Sequence, residues 1–236
     1  MKQIVEKAWL VPLGNVNGVL LEGDDGELVL IDAGFPNHET AVFDALSTLG
    51  RRPEDLSHIV FTHAHPDHIG SAAAIIERTG AKTWMHPSDV PISESGGPFR
   101  ALTPSPHLAQ GILFRIFWRP NEPIAPVRID QHIQDGETLP LAGGLRVIHT
   151  PGHSAGHVSL LWRDDRLLVV GDVGSNMVGV SDPLGFEDQE QGRRSQRQLA
   201  SLRFQAAAFG HGRAIPHDAM RRVRKGWGPP ESPAST

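Results

Sequence analysis

The chain has 236 residues, 39% of them hydrophobic, enough for a substantial buried core in one large domain or two small ones. Its formal net charge of −5 removes any general electrostatic case for a nucleic-acid or anionic-membrane partner, and the lack of cysteine removes disulfides, thiolate metal ligands and a cysteine nucleophile. Met1 to Gly14 carries Lys2, Glu6 and Lys7 around a short apolar run, which fits neither a signal peptide nor a membrane span, so a cytoplasmic enzyme is expected.

Residues 4–31 read as three strands, Ile4–Leu13, Val16–Glu22 and Glu27–Ile31, separated by Gly14-Asn15 and by the turn formers Gly23-Asp24-Asp25-Gly26. The third strand runs into Asp32-Ala33-Gly34. A helix from Asn37 to about Leu49 follows, with Ala41, Val42, Ala45, Leu46 and Leu49 on one face. The strand Ser57–Phe61 then delivers Thr62-His63-Ala64-His65-Pro66-Asp67-His68-Ile69-Gly70.

Three histidines and a carboxylate thus fall within positions 63 to 68. Each can donate a lone pair to a divalent cation, and imidazole with carboxylate suits zinc, iron or manganese. His63 and His65 lie two apart, so extended backbone aims both the same way. Pro66 fits the first turn of a helix, where its missing N–H costs little, and this aims Asp67 and His68 elsewhere. One short segment offers two ligand pairs in two directions, as adjacent metals require.

A helix from Asp67 to Thr79 and a short strand Lys82–His86 continue an α/β rhythm. Residues 87–128, broken by eight prolines, interrupt it. Leu108, Ile112, Leu113, Ile116 and Phe117 recur there at helical spacing, with Phe114 and Trp118 beside them. That segment reads as a core helix, as a lid or pocket wall, or as a dimer contact. Strands return from about Arg128, and Leu145–His149 opens into Thr150-Pro151-Gly152-His153-Ser154-Ala155-Gly156-His157. After the strand Val158–Trp162, Arg166–Val170 ends in Gly171-Asp172. A polar loop and helix over 187–206 lead to Ala206–Phe209 and Gly210-His211-Gly212. The tail from Gly226 is Gly-, Pro- and Ser-rich and is expected to fray, with Arg221 to Lys225 a solvated helix end.

His-x-His-x-Asp-His after an apolar strand resembles the signature of the metallo-β-lactamase superfamily in its two-metal, glyoxalase-II-like form. The resemblance runs from about residue 4 to 212 and implies one domain over 1–236, an αββα sandwich of two mixed β-sheets flanked by helices. It also implies that His63, His65 and His153 hold one metal, Asp67, His68 and His211 the other, that Asp172 bridges them, and that Asp32 supports the loop from behind. The other eight histidines, at 38, 58, 86, 107, 132, 149, 157 and 217, match no motif and read as structural.

Two divalent cations and two ionised carboxylates leave about +2 near the bridging position, which favours a bridging hydroxide there. The implied function is hydrolysis by two divalent metal ions, foremost Zn2+ with Fe or Mn as alternatives, Asp67 orienting the nucleophile and carrying a proton. The chain has no tyrosine, whereas lactonases of the family use one just beyond the bridging Asp; Ser175 or Asn176 stands there instead. A missing Cys ligand argues against some lactamases, the short stretch after His211 against glyoxalase II, and the acidic balance against nucleases. A small ester, thioester, lactone or phosphoester with an apolar portion remains. A mononuclear iron persulfide dioxygenase and a non-catalytic metal-binding module are the alternatives.

Overall fold

A computed structural model describes residues 1–106, 112, 114–116, 124–163 and 166–228. The expected roles of His107, Leu108, Leu113, Phe117, Trp118 and residues 229–236 lie outside the described residues.

The first sheet is mixed. Strands β1 (Lys2–Val5), β2 (Ala8–Pro12), β3 (Asn17–Glu22) and β4 (Leu28–Ile31) pair antiparallel in sequence order. Then β5 (Leu56–Val60), β6 (Lys82–Met85) and, after the short β7 (Thr103–Pro104), β8 (Gln131–His132) extend it in parallel. The second sheet runs β14 (Ala206–Ala208), β12 (Leu167–Val169), β11 (Val158–Trp162), β10 (Leu145–His149), β9 (Thr138–Leu139), with β12 and β14 parallel. Strand β13 (Gly185–Phe186) pairs separately with β7.

Side-chain alternation explains the layers. On β3, Val19 and Leu21 point into a core shared with Val147, Leu160 and Trp162 of the second sheet, while Leu20 joins Val42, Leu46 and Ile75 on the other side. The partners of Leu20 come from helices α1 (Glu39–Thr48) and α3 (Ala72–Thr79). The second sheet mirrors this: Leu167 and Val169 face inward, and Leu168 packs outward with Leu199 and Val223. Those two belong to α5 (Gln189–Ser201) and α6 (Ala219–Trp227). A period of two with both faces apolar is what a strand buried between a sheet and a helix layer requires. The architecture is the expected αββα sandwich.

Three boundaries differ from expectation. The strand expected over Ile4–Leu13 is a hairpin, because Lys7 turns the chain at φ 61° between β1 and β2. The helix expected over Asp67–Thr79 is two, α2 (Pro66–Ile69) and α3, because the 34–36 loop crosses Gly70, where any Cβ would meet the Pro36 ring at 2.4 Å. The tail does not fray at Gly226: Trp227 is buried, and its indole donates to the Ser181 carbonyl at 3.4 Å. A short helix, α4 (Val90–Ser95), sits inside the proline-rich stretch.

Candidate metal centre

The donors sit past the ends of β5, β10, β12 and β14, so both sheets feed one edge of the sandwich. His63, His65 and His153 form one group, and Asp67, His68, Asp172 and His211 a second; within each, donor atoms lie within 4.8 Å of one another. His63 Nε2 lies 2.9 Å from His65 Nδ1, which lies 3.0 Å from His153 Nε2. His211 Nε2 stands 3.2 Å from Asp67 Oδ2 and 3.1 Å from Asp172 Oδ2. Asp172 faces both groups, with Oδ2 3.7 Å from His153 Nε2 and Oδ1 3.6 Å from His68 Nε2.

What lies behind the rings decides where their lone pairs point. Asp32 accepts from the Thr62 N–H and hydroxyl at 2.8 Å each, and from His68 Nδ1 at 2.8 Å. With its proton given to Asp32, the Thr62 hydroxyl accepts from His63 Nδ1 at 3.0 Å. His153 Nδ1 donates to the Gly185 carbonyl at 2.8 Å and His211 Nδ1 to the Asn15 carbonyl at 2.9 Å. Four rings therefore carry the Nδ1 proton outward and turn Nε2 inward, the arrangement that orients metal-ligating histidines.

These residues fit divalent cations. Zn–N bonds of about 2.0–2.1 Å set the nitrogens of a tetrahedral site about 3.3 Å apart, close to the spacing in the histidine group. His68 Nε2 and Asp172 Oδ1 are buried without a hydrogen-bond partner, at a cost of about 1–3 kcal/mol each that a cation between them would relieve.

Electrostatics separates the groups. Burial, reinforced by neighbouring histidines, pushes His63 and His65 well below the ordinary histidine range, so both rings are neutral. Burial opposes charge on His68 and His211 too, but Asp32 and Asp172 beside His68, and Asp172 and Asp67 beside His211, hold both well above it. In return, Asp67 and Asp172 stay ionised: burial would raise both, yet the two cationic rings hold them below the usual carboxylate range.

The metallo-beta-lactamase superfamily matches residues 11–211, most of the chain and all of the donors above. The chain belongs to that superfamily. It is 30% identical over 223 residues to the probable metallo-hydrolase YflN of Bacillus subtilis (strain 168), covering 86% of this chain and 81% of that protein. Among solved structures it resembles a metallo-beta-lactamase family protein, TTHA1429, of Thermus thermophilus, with TM-score 0.71, 26% identity, and coverage of 94% of this chain and 79% of that one. A mutant metallo-beta-lactamase from Cronobacter sakazakii gives TM-score 0.69 and 26% identity, over 89% of this chain and 79% of that one. Membership and the two donor groups together support divalent-metal binding and a metallo-hydrolase-like function.

Within this superfamily frame, two residues matter that sequence reasoning passed over. His157, read as structural, is fully buried behind Asp172: its Nε2 accepts from the Asp172 N–H at 2.9 Å, and Nδ1 meets the Thr150 hydroxyl at 2.8 Å. Burial, with His153 nearby, holds it neutral, as an acceptor must be. Asp89, buried at the start of α4, accepts from the Ala64 N–H at 3.0 Å, the Ser154 hydroxyl at 2.5 Å and the Gly156 N–H at 3.0 Å, tying the 63–68 loop to the 153–157 loop. Arg100 pairs with Asp89 and reaches Glu187, which accepts from the Ala155 N–H at 2.8 Å. Asp89 stands where an N-cap belongs but makes no capping bond, a sign visible only in three dimensions.

A cavity of about 440 Å3 opens over the donors. Neither Ser175 nor Asn176 takes the place of the missing tyrosine at its wall. The Ser175 hydroxyl is 3.2 Å from both the Ser181 hydroxyl and the Asp182 carbonyl, and the Asn176 amide donates to the Arg213 carbonyl at 2.6 Å. The next residue, Met177, lines the cavity. No helix among the described residues is long and apolar enough to cross a membrane.

Proposed function

We propose that this chain is a hydrolase of small esters, thioesters, lactones or phosphoesters that works with two divalent metal ions, zinc foremost. His63, His65 and His153 would hold one ion, Asp67, His68 and His211 the other, and Asp172 both. The observation that carries this reading is the set of outward Nδ1 bonds, which turns the Nε2 atoms of His63, His68, His153 and His211 inward, where Asp67 and Asp172 also stand. When bound, the ions supply an acidified water and positive charge for a developing oxyanion.

The protein's own groups do the rest. Asp32, through Thr62 and directly, keeps His63 and His68 in the ligating tautomer. The Asp67 carboxylate, ionised and facing the cavity, orients the nucleophile and carries a proton on Oδ2 to the leaving group. His157 fixes the Asp172 backbone so that both carboxylate oxygens stay between the two groups.

Replacing His63 or Asp172 with alanine tests the assignment. Metal content and hydrolysis should fall together, with rates at least about 100-fold lower. Full metal content with retained activity in either variant would contradict it.

A further inference from the structure

The cavity wall carries information about the substrate that the donors do not, and reading it as a substrate pocket rests on the hydrolase proposal above. Apart from metal donors, the described lining contains no ionisable side chain. Its large side chains are Phe35, Leu102, Phe114, Met177 and Leu184. Of its two asparagines, Asn17 has its amide committed to the Phe209 and Gly212 carbonyls at 3.1 and 2.8 Å.

The apolar surface does not stop at the rim. Besides Met1, the large apolar side chains exposed among the described residues are Ile112, Ile116, Met177 and Val178, the last 98% exposed. Val178 follows Met177, so the segment that lines the cavity there also carries apolar surface outward, whereas Ile112 and Ile116, two residues either side of Phe114, lie on the solvent face of their segment, away from the cavity.

A charged group brought against the described walls, away from the metals, would lose its water and find no countercharge among them. A methylene brought there would gain. We propose that the pocket selects acyl substrates, whether ester, thioester or lactone, that carry a linear apolar chain and no charge outside the reacting carbonyl, and that it rejects substrates with a second anionic group, such as carboxylate-bearing β-lactams. In the reaction water adds to the acyl carbon and the C–O or C–S bond breaks. One water proton goes to the leaving oxygen or sulfur, and the acid product retains the water oxygen.

The test uses zinc-loaded protein. p-Nitrophenyl esters from acetate to decanoate and a chromogenic cephalosporin are compared by kcat/KM. Straight-chain primary amides from butanamide to decanamide, which share the carbonyl and resist hydrolysis, are titrated by calorimetry. Both kcat/KM and amide affinity should rise about two- to fourfold per methylene until the cavity is filled, with the cephalosporin at least about 100-fold poorer than the best ester. Phe114→Ala, and the rim variant Met177→Gln, should flatten both slopes. Amide affinity independent of chain length, or a cephalosporin matching the best ester, would overturn the proposal. A clear amide slope without turnover of any ester would instead overturn the hydrolase reading and leave the apolar subsite standing.

Discussion

Asp32 governs two rings through one carboxylate, one directly and one through the Thr62 hydroxyl. Asp32→Asn keeps the shape but offers an amide N–H where Thr62 or His68 needs an acceptor. Metal affinity should fall about 10–100-fold, measured by competition with a chromophoric chelator; unchanged affinity would show that the rings orient without it. Gly210 is a second sensitive point, for space rather than backbone freedom. The sequence suggests that flanking glycines let the chain swing His211 inward. At Gly212, φ 97° does require it, but at Gly210 an added Cβ would sit 2.0 Å from Asp172 Oδ1 and 2.9 Å from the His68 ring. Gly210→Ala should displace Asp172 and lower metal content below that of wild type, read by elemental analysis. A fully loaded variant would mean that the 208–212 turn yields easily.

Helix α4 has the clearest role of any element outside the donor loops, because Asp89 at its start holds two of them together. Asp89→Asn should destabilise the protein by about 1–3 kcal/mol, since it weakens several buried hydrogen bonds and leaves Arg100 with Glu187 as its remaining acidic partner nearby. Chemical denaturation of metal-free protein checks this, and a change under about 0.5 kcal/mol would contradict it. This element was hidden in the sequence. Prolines at 87, 91 and 98 announce loops, yet Pro91 sits in the first turn of α4, where proline is tolerated. The break between α2 and α3 was hidden for another reason: Gly70 is demanded by the distant loop that carries Pro36, and no local pattern reports that crossing. By contrast, the strands were legible, because β4, β11 and β12 carry largely unbroken apolar runs buried between the layers, and β5 ends in the buried pair Ile59-Val60. The donors followed from those strands, as each comes just past an apolar run. Their outer partners Thr62, His157, Gly185 and Asn15 did not, because a hydroxyl, a ring or a carbonyl behind a ligand leaves no spacing to read.

At the scale of the whole molecule, the edge where both sheets end concentrates ionisable groups whose titration couples to folding. In the metal-free protein, His68 and His211 titrate above the unfolded value of about 6.5, so their contribution is complete below that pH and is lost as pH rises through their folded values. His63, His65 and His157 titrate below it. Under falling pH the unfolded chain takes up their protons before the folded one can, and stability drops as pH falls below about 6.5. Metal-free protein should therefore show a bell-shaped Tm profile peaking near neutral to slightly acidic pH, and a profile rising steadily from about pH 5 to 9 would contradict these assignments. Metal should raise Tm most where the histidines are deprotonated, each site adding about 2.7 kcal/mol of stability at a free concentration about 100 times Kd.

The central quantity is the number of metal ions that the seven converging side chains would hold under the proposed assignment. Elemental analysis of protein purified without added metal or chelator measures it directly. Two equivalents of divalent metal per chain, zinc alone or with iron or manganese, is the predicted result. One equivalent of iron alone would contradict it and favour oxygen chemistry on persulfides, and protein that stays metal-free after reconstitution would remove the ligand assignment altogether.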